Sequence, residues 1–413
     1  MMPASLITKL RQLLPVFLLL SVSLYFLNAT SYFRPLRYGK YLWLCTLPIC
    51  LLTLAIGKTK FNKDFMVQQI KPWLPLFLAG IILFFYHGNF SGANVLGKFL
   101  ILLLVFSLLV STITLRLQTL FRINAFNCIV LSTLGFIQTH YLGYYVPGWD
   151  VNQNIFAGVI VLLGGFSCLS SFSQNQQEKI SNIERCLYFL AGVAAIITAI
   201  STGCRTVFFT LIALLPLSIY SIKKYFQLPM RKVLLLAVLP FILLGIIILS
   251  DDLLVQRIRL ILPEISQWTN NQQDIVSTSI GIRLSMYQIA LFEIFPQFPL
   301  LGMGDLSGKE IANILGIHSI TESYVNNWTH FHNDFLQMLV TGGICFVCLG
   351  ILTFLWLLLN TKLNVLLLWL LGCGFLFGLT EVFFFRQNTF ICFCTLWLFY
   401  QSSLFQRSSY GPL

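Results

Sequence analysis

Long apolar runs alternate with short polar connections along nearly the whole chain. Most runs lack polar residues at the 3.6-residue spacing that gives a soluble helix a wetted face. A helix needs about 20 consecutive apolar residues to cross a bilayer, and the runs are close to that length. The alternating strand pattern of an outer-membrane barrel is absent. The pattern therefore predicts an all-α polytopic membrane protein.

We assign about twelve transmembrane helices, nine before a long polar segment and three after it. Their approximate limits are 13–29, 40–57, 73–87, 95–115, 124–142, 155–173, 186–202, 206–222, 233–250, 335–359, 364–382 and 387–404. The first run lacks a small-residue cleavage site and is followed by further spans, which favours a retained helix. The predicted division is residues 1–250 for spans one to nine, 251–334 for a large periplasmic loop, and 335–413 for spans ten to twelve with a short tail.

Charge predicts the orientation of these spans. The chain has 413 residues, of which 57% are hydrophobic and 10% charged, and its formal net charge is +12. With a cytoplasmic N-terminus, 16 of the 26 lysine and arginine residues face the cytoplasm, as the positive-inside rule requires. Arg34, Arg37 and Lys40 oppose this orientation, but the total favours both termini inside. No basic patch with interleaved aromatic residues indicates nucleic-acid binding.

The segment between spans nine and ten holds most of the polar chemistry. Its nine acidic residues, out of 14 in the chain, are Asp251, Asp252, Glu264, Asp274, Glu293, Asp305, Glu310, Glu322 and Asp334. The stretch "RLSMYQIALFEIF" from Arg283 has the pattern of an amphipathic helix ended by Pro296. "SGKE" fits a capping box between Ser307 and Glu310. We expect this loop to fold as a lid or as a pair of membrane-surface helices.

Several chemistries find no support in the sequence. Nearly all of the 11 cysteines lie in apolar spans, which disfavours zinc ligation and a disulfide framework. There is no P-loop, GxGxxG, GxSxG or HExxH motif. Ionisable residues are almost absent from the interior of the spans, which disfavours an ion-coupled transporter without excluding one. We predict no metal and no other cofactor.

Three polar residues at the predicted outer surface are candidates for chemistry. Arg205 lies in the turn between spans seven and eight, Arg283 opens the loop helix, and His332 precedes span ten. The planar guanidinium group suits bidentate binding of a diphosphate, and histidine can accept a proton near neutral pH. Alternatives remain for each. Arg205 fits an interfacial anchor, Arg283 a solvated residue, and the polar residues beside His332 a simple helix cap in which Asp334 and Gln337 match the pattern.

Two further features have alternative interpretations. His330 fits an exposed loop histidine, with a paired metal site as the lesser alternative. Gly342 and Gly343 in span ten fit close helix packing better than ligand contact.

The order and sidedness of these motifs resemble the bacterial O-antigen ligases, which are grouped with the O-antigen polymerases. The motifs are "STGCRTVFF" around Arg205, "GIRLSMY" around Arg283 and "HFHND" around His332. "VNQNIFAGV" is similar to an asparagine-rich stretch in many members, with Asn154 at the matching position and Gln153 where a proline is common. The resemblance covers roughly residues 150–390.

The resemblance implies a specific reaction. O-antigen ligases transfer a glycan from undecaprenyl diphosphate to a sugar hydroxyl of lipid A-core at the periplasmic face of the inner membrane, and they are regarded as inverting, metal-independent enzymes. Arg205 and Arg283 would clamp the diphosphate, and His332 would act as general base or position the acceptor. Asn333 would orient the histidine, and Asn154 and His330 would contact substrate. The expected partners are the lipid-linked donor, lipid A-core and membrane lipids.

Other functions stay open at this point. An O-antigen polymerase uses the same donor but extends another O unit. A protein-glycosylating relative is also possible, although such enzymes are commonly longer at the C-terminus. An exporter of lipid or glycan would transport without forming a bond.

Overall fold

We analysed a computed structural model of the chain. It describes residues 63–87, 107, 116–142, 153–173, 180–227, 229, 255, 259–269, 279–304, 310, 330–385 and 387–409. Within these ranges all regular elements are helices and no strand occurs. The predicted spans 13–29, 40–57, 95–115 and 233–250 lie outside the described residues, apart from Ser107 in a helical conformation.

The helices are numbered in chain order. They are α1 (Lys63–Ile70), a 3-10 turn (Lys71–Trp73), α2 (Leu74–His87), α3 (Leu117–His140), α4 (Gln153–Ser171), α5 (Asn182–Ser201), α6 (Arg205–Phe226), α7 (Ile261–Thr269), α8 (Ser279–Gln288), a π-helix (Ile289–Ile294), α9 (Phe295–Gln297), α10 (Asp334–Asn360), α11 (Val365–Gly378) and α12 (Gln387–Ser409).

Six helical stretches among the described residues are long and apolar enough to cross a membrane. They are Lys63–His87, α3, α4, α5, α6 and α10, and α11 is a shorter apolar helix. Large apolar side chains such as Phe85, Leu190 and Leu359 point outward, which is the arrangement expected where lipid replaces water. The described part confirms a helical, multi-pass membrane protein. The count of twelve stays a prediction.

Helix α4 lies at the centre of the packing. Small residues bring it close to α5, because a Cβ on Gly192 would lie 2.5 Å from the Gly164 carbonyl oxygen. The Ser167 hydroxyl donates to the Tyr188 carbonyl at 2.8 Å. On another face Trp369 of α11 packs over Gly165 and donates from Nε1 to the Leu162 carbonyl at 3.2 Å. This dense core fixes the ends of α4, α5 and α11 relative to one another.

Basic side chains gather where α3, α4, α5 and α6 meet at one end of the bundle. Arg122 donates from Nε to Glu184 at 2.8 Å. Arg185 donates to the Ser171 carbonyl at 2.6 Å and lies over the Tyr225 ring at 5.0 Å. Lys223 and Lys224 occupy the last turn of α6 beside Tyr225. We call this the basic end. The first residues of α4 and α6 lie at the opposite end.

Helix α10 is broken at Gly342 and Gly343, whose backbone angles are not helical. Residues twelve apart on one continuous helix would be separated by about 18 Å. Instead, a Cβ on Gly350 would lie 2.6 Å from Met338 Sδ. Residues 334–341 and 344–360 therefore fold back on each other as a helical hairpin. The sequence predicted an uninterrupted span over 335–359. Its hydropathy indicated that this segment is apolar, but it did not indicate that the helix reverses direction at the two glycines.

A loop segment, residues 299–304, fills the break in α10. Met303 and Gly304 donate their backbone N–H groups to the Val340 and Thr341 carbonyls at 2.8 and 3.0 Å. In return Ile344 N–H donates to the Pro299 carbonyl at 2.9 Å. The polar groups freed by the break thus find partners, which an apolar environment demands.

Glycine allows this close backbone contact. Gly302 and Gly343 both have φ of +63°, and a Cβ on Gly302 would lie 2.5 Å from the Val340 carbonyl oxygen. Gly343 therefore permits close packing, as predicted, but against a loop segment and not against another helix. A Cβ on Gly342 would instead meet the Phe346 side chain at 2.6 Å.

The loop helix differs from its prediction at both ends. Helix α8 begins at Ser279, four residues before Arg283, and leads through the π-helix into α9, which contains Pro296. Proline does not end the run because it lies in the first turn of the next helical segment, where no N–H is required. Met286, Ile289 and Ile294 pack against Phe331 and Leu336. The predicted Ser307 capping box lies outside the described residues.

Candidate active site

The turn that joins α11 to α12 carries a buried acid. We call residues 379–385 the Glu381 turn. The Glu381 side chain is only 7% exposed, and its N–H donates to the Phe377 carbonyl at 2.7 Å. A buried carboxylate needs several polar partners to offset the loss of hydration. The partners of Glu381 therefore identify the polar centre of this end of the bundle.

Three side chains from distant parts of the sequence meet the Glu381 carboxylate. Asn154 at the start of α4 donates from Nδ2 to Oε1 at 2.6 Å. Arg283 of α8 forms an ion pair with the same oxygen. His332 Nδ1 lies 2.8 Å from Oε2. Both oxygens are thus occupied, and the guanidinium charge offsets that of the carboxylate.

Three consecutive residues, His332, Asn333 and Asp334, each contact the Glu381 turn. His332 binds Glu381 itself. The Asn333 Nδ2 donates to the Leu379 carbonyl at 2.7 Å. The Asp334 Oδ2 accepts from the Phe384 N–H at 3.0 Å. These side chains join the entry of α10 to the turn at three successive points.

The capping role at the start of α10 belongs to Asn333. Its Oδ1 accepts from the N–H groups of Phe335 and Leu336 at 2.8 and 3.1 Å. Gln337 Oε1 accepts from the Phe331 N–H at 3.1 Å. The helix cap suggested by the sequence as an alternative is therefore present. It uses Asn333 and Gln337, whereas the sequence pattern had pointed to Asp334 and Gln337. The His332 ring takes no part in it.

The backbone at His332 is unusual. Its φ is +49°, in the left-handed region that only a few per cent of non-glycine residues adopt. This conformation turns the chain between Phe331, which is buried, and the first turn of α10. The ring of His330 lies beside that of His332, with centroids 4.3 Å apart and the ring planes tilted by 48°.

Arg205 begins α6 at the same end of the bundle. Its NH1 lies 4.0 Å from the Glu264 carboxylate of α7. The neighbouring Thr206 hydroxyl is 2.5 Å from that of Thr380, so the start of α6 abuts the Glu381 turn. The side chains of Arg205 and Arg283 are each 25% exposed and can therefore meet a ligand.

Cys204 lies directly before α6 and is buried. Burial, with the charge of Glu381 as the next contribution, raises the pKa of the Cys204 thiol. A neutral thiol is a poor nucleophile, so Cys204 is not a candidate for covalent catalysis.

One group of side chains within the described residues could hold a metal ion. His330, His332 and Glu381 each offer a ligand atom, and these atoms all lie within 4.8 Å of one another. The same end of the bundle therefore combines a histidine beside a carboxylate with two partly exposed guanidinium groups and the side-chain amides of Asn154 and Asn333. Such a site can accept a proton and stabilise a phosphate.

The sequence did not single out Glu381. It lies at the predicted end of span eleven, 364–382, where a polar residue is ordinary because the helix reaches the membrane surface. The available signal was a lone acid between "FLFGLT" and "VFFF", because ionisable residues within apolar runs are rare and usually functional. The other predicted site residues, Asn154, Arg205, Arg283, His330, His332 and Asn333, all lie at this end of the bundle.

Comparison with known families adds an independent observation. Residues 190–345 match the family model described as O-antigen ligase, and this region contains Arg205, Arg283 and the histidine motif but neither Asn154 nor Glu381. No curated protein matches the chain. The match confirms the resemblance found in the sequence and supports membership of this chain in the O-antigen ligase and polymerase family.

Proposed function

We propose that this protein is an O-antigen ligase. It would transfer an O-antigen glycan from undecaprenyl diphosphate to a sugar hydroxyl of lipid A-core, at the periplasmic face of the inner membrane. The observation that carries the proposal is the contact of His332 and Arg283 with one buried carboxylate, Glu381. A base and a phosphate-binding group are thereby held together, as transfer from a diphosphate requires.

His332 is the proposed general base. In the proposed mechanism, an Nδ1–H···Oε2 hydrogen bond to Glu381 selects the ring tautomer that has its proton on Nδ1. The Nε2 lone pair is then available to take the proton of the acceptor hydroxyl. That hydroxyl oxygen attacks C1 of the donor sugar, and the bond from C1 to the diphosphate oxygen breaks. Glu381 stabilises the imidazolium that forms, as the acid of a Ser-His-Asp triad does.

Arg283 and Arg205 are the proposed partners of the leaving diphosphate. A guanidinium group has five N–H donors, so Arg283 can hold Glu381 and still donate to a phosphate oxygen. Arg205 stands at the start of α6, next to the Thr206–Thr380 contact with the same turn. Removing one charge-stabilising donor typically costs about 3–4 kcal/mol, or roughly 100- to 1,000-fold in rate.

The remaining predicted residues have positioning or binding roles in this proposal. Asn154 holds Glu381 from the α4 side, and Asn333 fixes the entry of α10. Both therefore act on the reaction through Glu381 and His332. His330 is proposed to contact the acceptor beside His332. The proposed chemistry uses fixed cationic side chains and no cofactor.

Charge supports the proposed orientation. Arg122, Arg185, Lys223 and Lys224 lie at the basic end, and the positive-inside rule assigns such an end to the cytoplasm. The Glu381 turn would then face the periplasm, with both termini in the cytoplasm. The twelve-span arrangement and the division at residues 250 and 334 are part of this proposal.

The test is a transfer assay with purified protein. Undecaprenyl diphosphate-linked glycan and lipid A-core are incubated with EDTA and without ATP. Wild type is compared with His332→Ala, Arg205→Ala and Arg283→Ala, each checked for folding by size-exclusion chromatography in detergent. Arg122→Ala is the matched control, because it removes an arginine from an ion pair at the basic end.

Each result decides between functions. Glycan on lipid A-core with wild type and Arg122→Ala, and a loss of at least about 100-fold in the three site variants, supports the ligase. Growth of the donor glycan would assign the protein as a polymerase. If competent substrates yield neither product, the protein is not a glycosyltransferase of this kind.

A further inference from the structure

A cluster of two imidazoles and one carboxylate lies at the centre of the site. The ligand atoms of His330, His332 and Glu381 are within 4.8 Å of one another. We propose that these three residues form a binding site for Zn²⁺ or a similar transition-metal ion. We also propose that the bound metal inhibits glycan transfer, a statement that rests on the function proposed above.

The distances suit a metal after small side-chain movements. Zinc binds nitrogen and oxygen ligands at about 2.0–2.2 Å, which sets tetrahedral ligands about 3.3 Å apart. His332 Nδ1 and Glu381 Oε2 are 2.8 Å apart, and the ring centroids of His330 and His332 are 4.3 Å apart. Rotation about the histidine side-chain bonds can bring the third ligand to this distance without a change in the backbone.

Glu381 retains coordinating capacity on one side. Its Oε1 is taken by Arg283 and Asn154, whereas Oε2 faces the histidines. A carboxylate oxygen has two lone pairs, so Oε2 can bind a metal while Oε1 keeps its partners. The adjacent guanidinium charge repels a cation, which makes the site reversible and not a permanent structural centre.

The donor set selects the class of metal. Two imidazoles and one carboxylate are typical ligands of zinc and other first-row transition metals, whereas Mg²⁺ and Ca²⁺ prefer oxygen ligands throughout. Three protein ligands also leave the fourth position open to solvent. The His332 side chain is 24% exposed, so an ion can enter from the water phase.

Inhibition follows from what the metal occupies. A coordinated His332 loses its contact with Glu381, and Glu381 no longer stabilises an imidazolium. With the ion on Nδ1, the neutral ring carries its proton on Nε2, which then has no lone pair to take the proton of the acceptor hydroxyl. Under the proposed mechanism, His332 therefore cannot bind zinc and accept the proton of the acceptor hydroxyl at the same time.

Metal binding is tested directly, without reference to activity. The full-length protein is purified in detergent with a tag that lacks histidine, stripped with EDTA and dialysed. Co²⁺ is titrated while its visible d–d absorption is recorded, and Zn²⁺ is titrated by calorimetry. Variants are His330→Ala, His330→Cys, which keeps a zinc ligand, and His140→Ala, which removes an exposed histidine elsewhere.

We expect one equivalent of metal in wild type and His140→Ala. Loss of one ligand should weaken affinity at least about tenfold in His330→Ala, with recovery in His330→Cys. No binding by wild type, or unchanged binding by His330→Ala, would overturn the site.

A second arm measures inhibition in the transfer assay. Added Zn²⁺ should abolish glycan transfer by wild type, and excess EDTA should restore it. Full transfer at saturating zinc would overturn the inhibitory role while leaving the metal site intact. An enzyme that transfers no glycan under any condition would contradict the proposed function, but the metal titration would still decide whether the site exists.

Discussion

At the scale of single residues, Glu381 has more polar partners than any sequence motif indicated. It accepts from Asn154, Arg283 and His332, which are 227, 98 and 49 residues away in sequence. The carboxylate thereby determines where a cation and an imidazole meet.

Glu381→Gln tests this role with almost no change in size. The amide cannot balance the Arg283 charge or stabilise an imidazolium, so we expect kcat for transfer to fall by about 100- to 10,000-fold. Glu184→Gln is the matched control, since it alters a carboxylate paired with Arg122 at the basic end. Transfer by Glu381→Gln at near wild-type kcat would show that the carboxylate only supports the fold.

The sequence predicted one part of the site and not the other for a physical reason. Arg205, Arg283 and His332 stand in short polar motifs beside apolar runs, and their chemistry can be recognised locally. Glu381 stands alone, and its importance comes from contacts made only after folding. Long-range pairs of this kind leave no periodic pattern in a single sequence.

At the scale of elements, the hairpin of α10 depends on two glycines. Gly343 has φ of +63°, and a Cβ there would lie 2.6 Å from the Leu301 nitrogen, so neither backbone can yield easily. The sequence predicted the apolar character of this segment and the role of its glycines in close packing. It could not predict the reversal, because the partner segment 299–304 lies more than thirty residues earlier.

Gly343→Ala should therefore destabilise the protein. Its φ of +63° and ψ of −162° lie in a region that is essentially restricted to glycine, where another residue costs on the order of 1–3 kcal/mol, and the backbone contact adds to it. We expect a lower unfolding temperature in detergent and loss of transfer activity. Gly158→Ala is a suitable control, because its φ is not positive and its added Cβ would meet side chains and no backbone, the Phe377 ring at 3.2 Å and the Phe383 ring at 3.5 Å. Equal stability of the two variants would contradict the hairpin geometry.

At the scale of the whole molecule, the basic end and the Glu381 turn lie at opposite ends of the bundle. The hydropathy pattern predicted a helical multi-pass protein, since bilayer thickness fixes span length. It could not predict which helices pack together, because lipid-facing and buried positions are equally apolar. Small residues such as Gly164 and Gly192 determine that choice through close contact.

Cysteine labelling tests the proposed orientation. Leu300 is 63% exposed near the break in α10, and Lys223 is exposed at the basic end. In spheroplasts, a membrane-impermeant maleimide should label Leu300→Cys directly. Lys223→Cys should react only after the membrane is permeabilised, and the parent protein measures the background of native cysteines. The reverse pattern of labelling would invert the orientation and move the site to the cytoplasmic side.

The contact between residues 299–304 and the break in α10 also determines which segments must be exchanged together in a chimeric protein. Its hydrogen bonds join main-chain atoms of 299–304 to main-chain atoms of 340–345. They therefore fix the spacing of residues within each of these two segments, while tolerating most changes of side chain. A chimera between this chain and a homologue should exchange 299–304 together with 340–345 as one block.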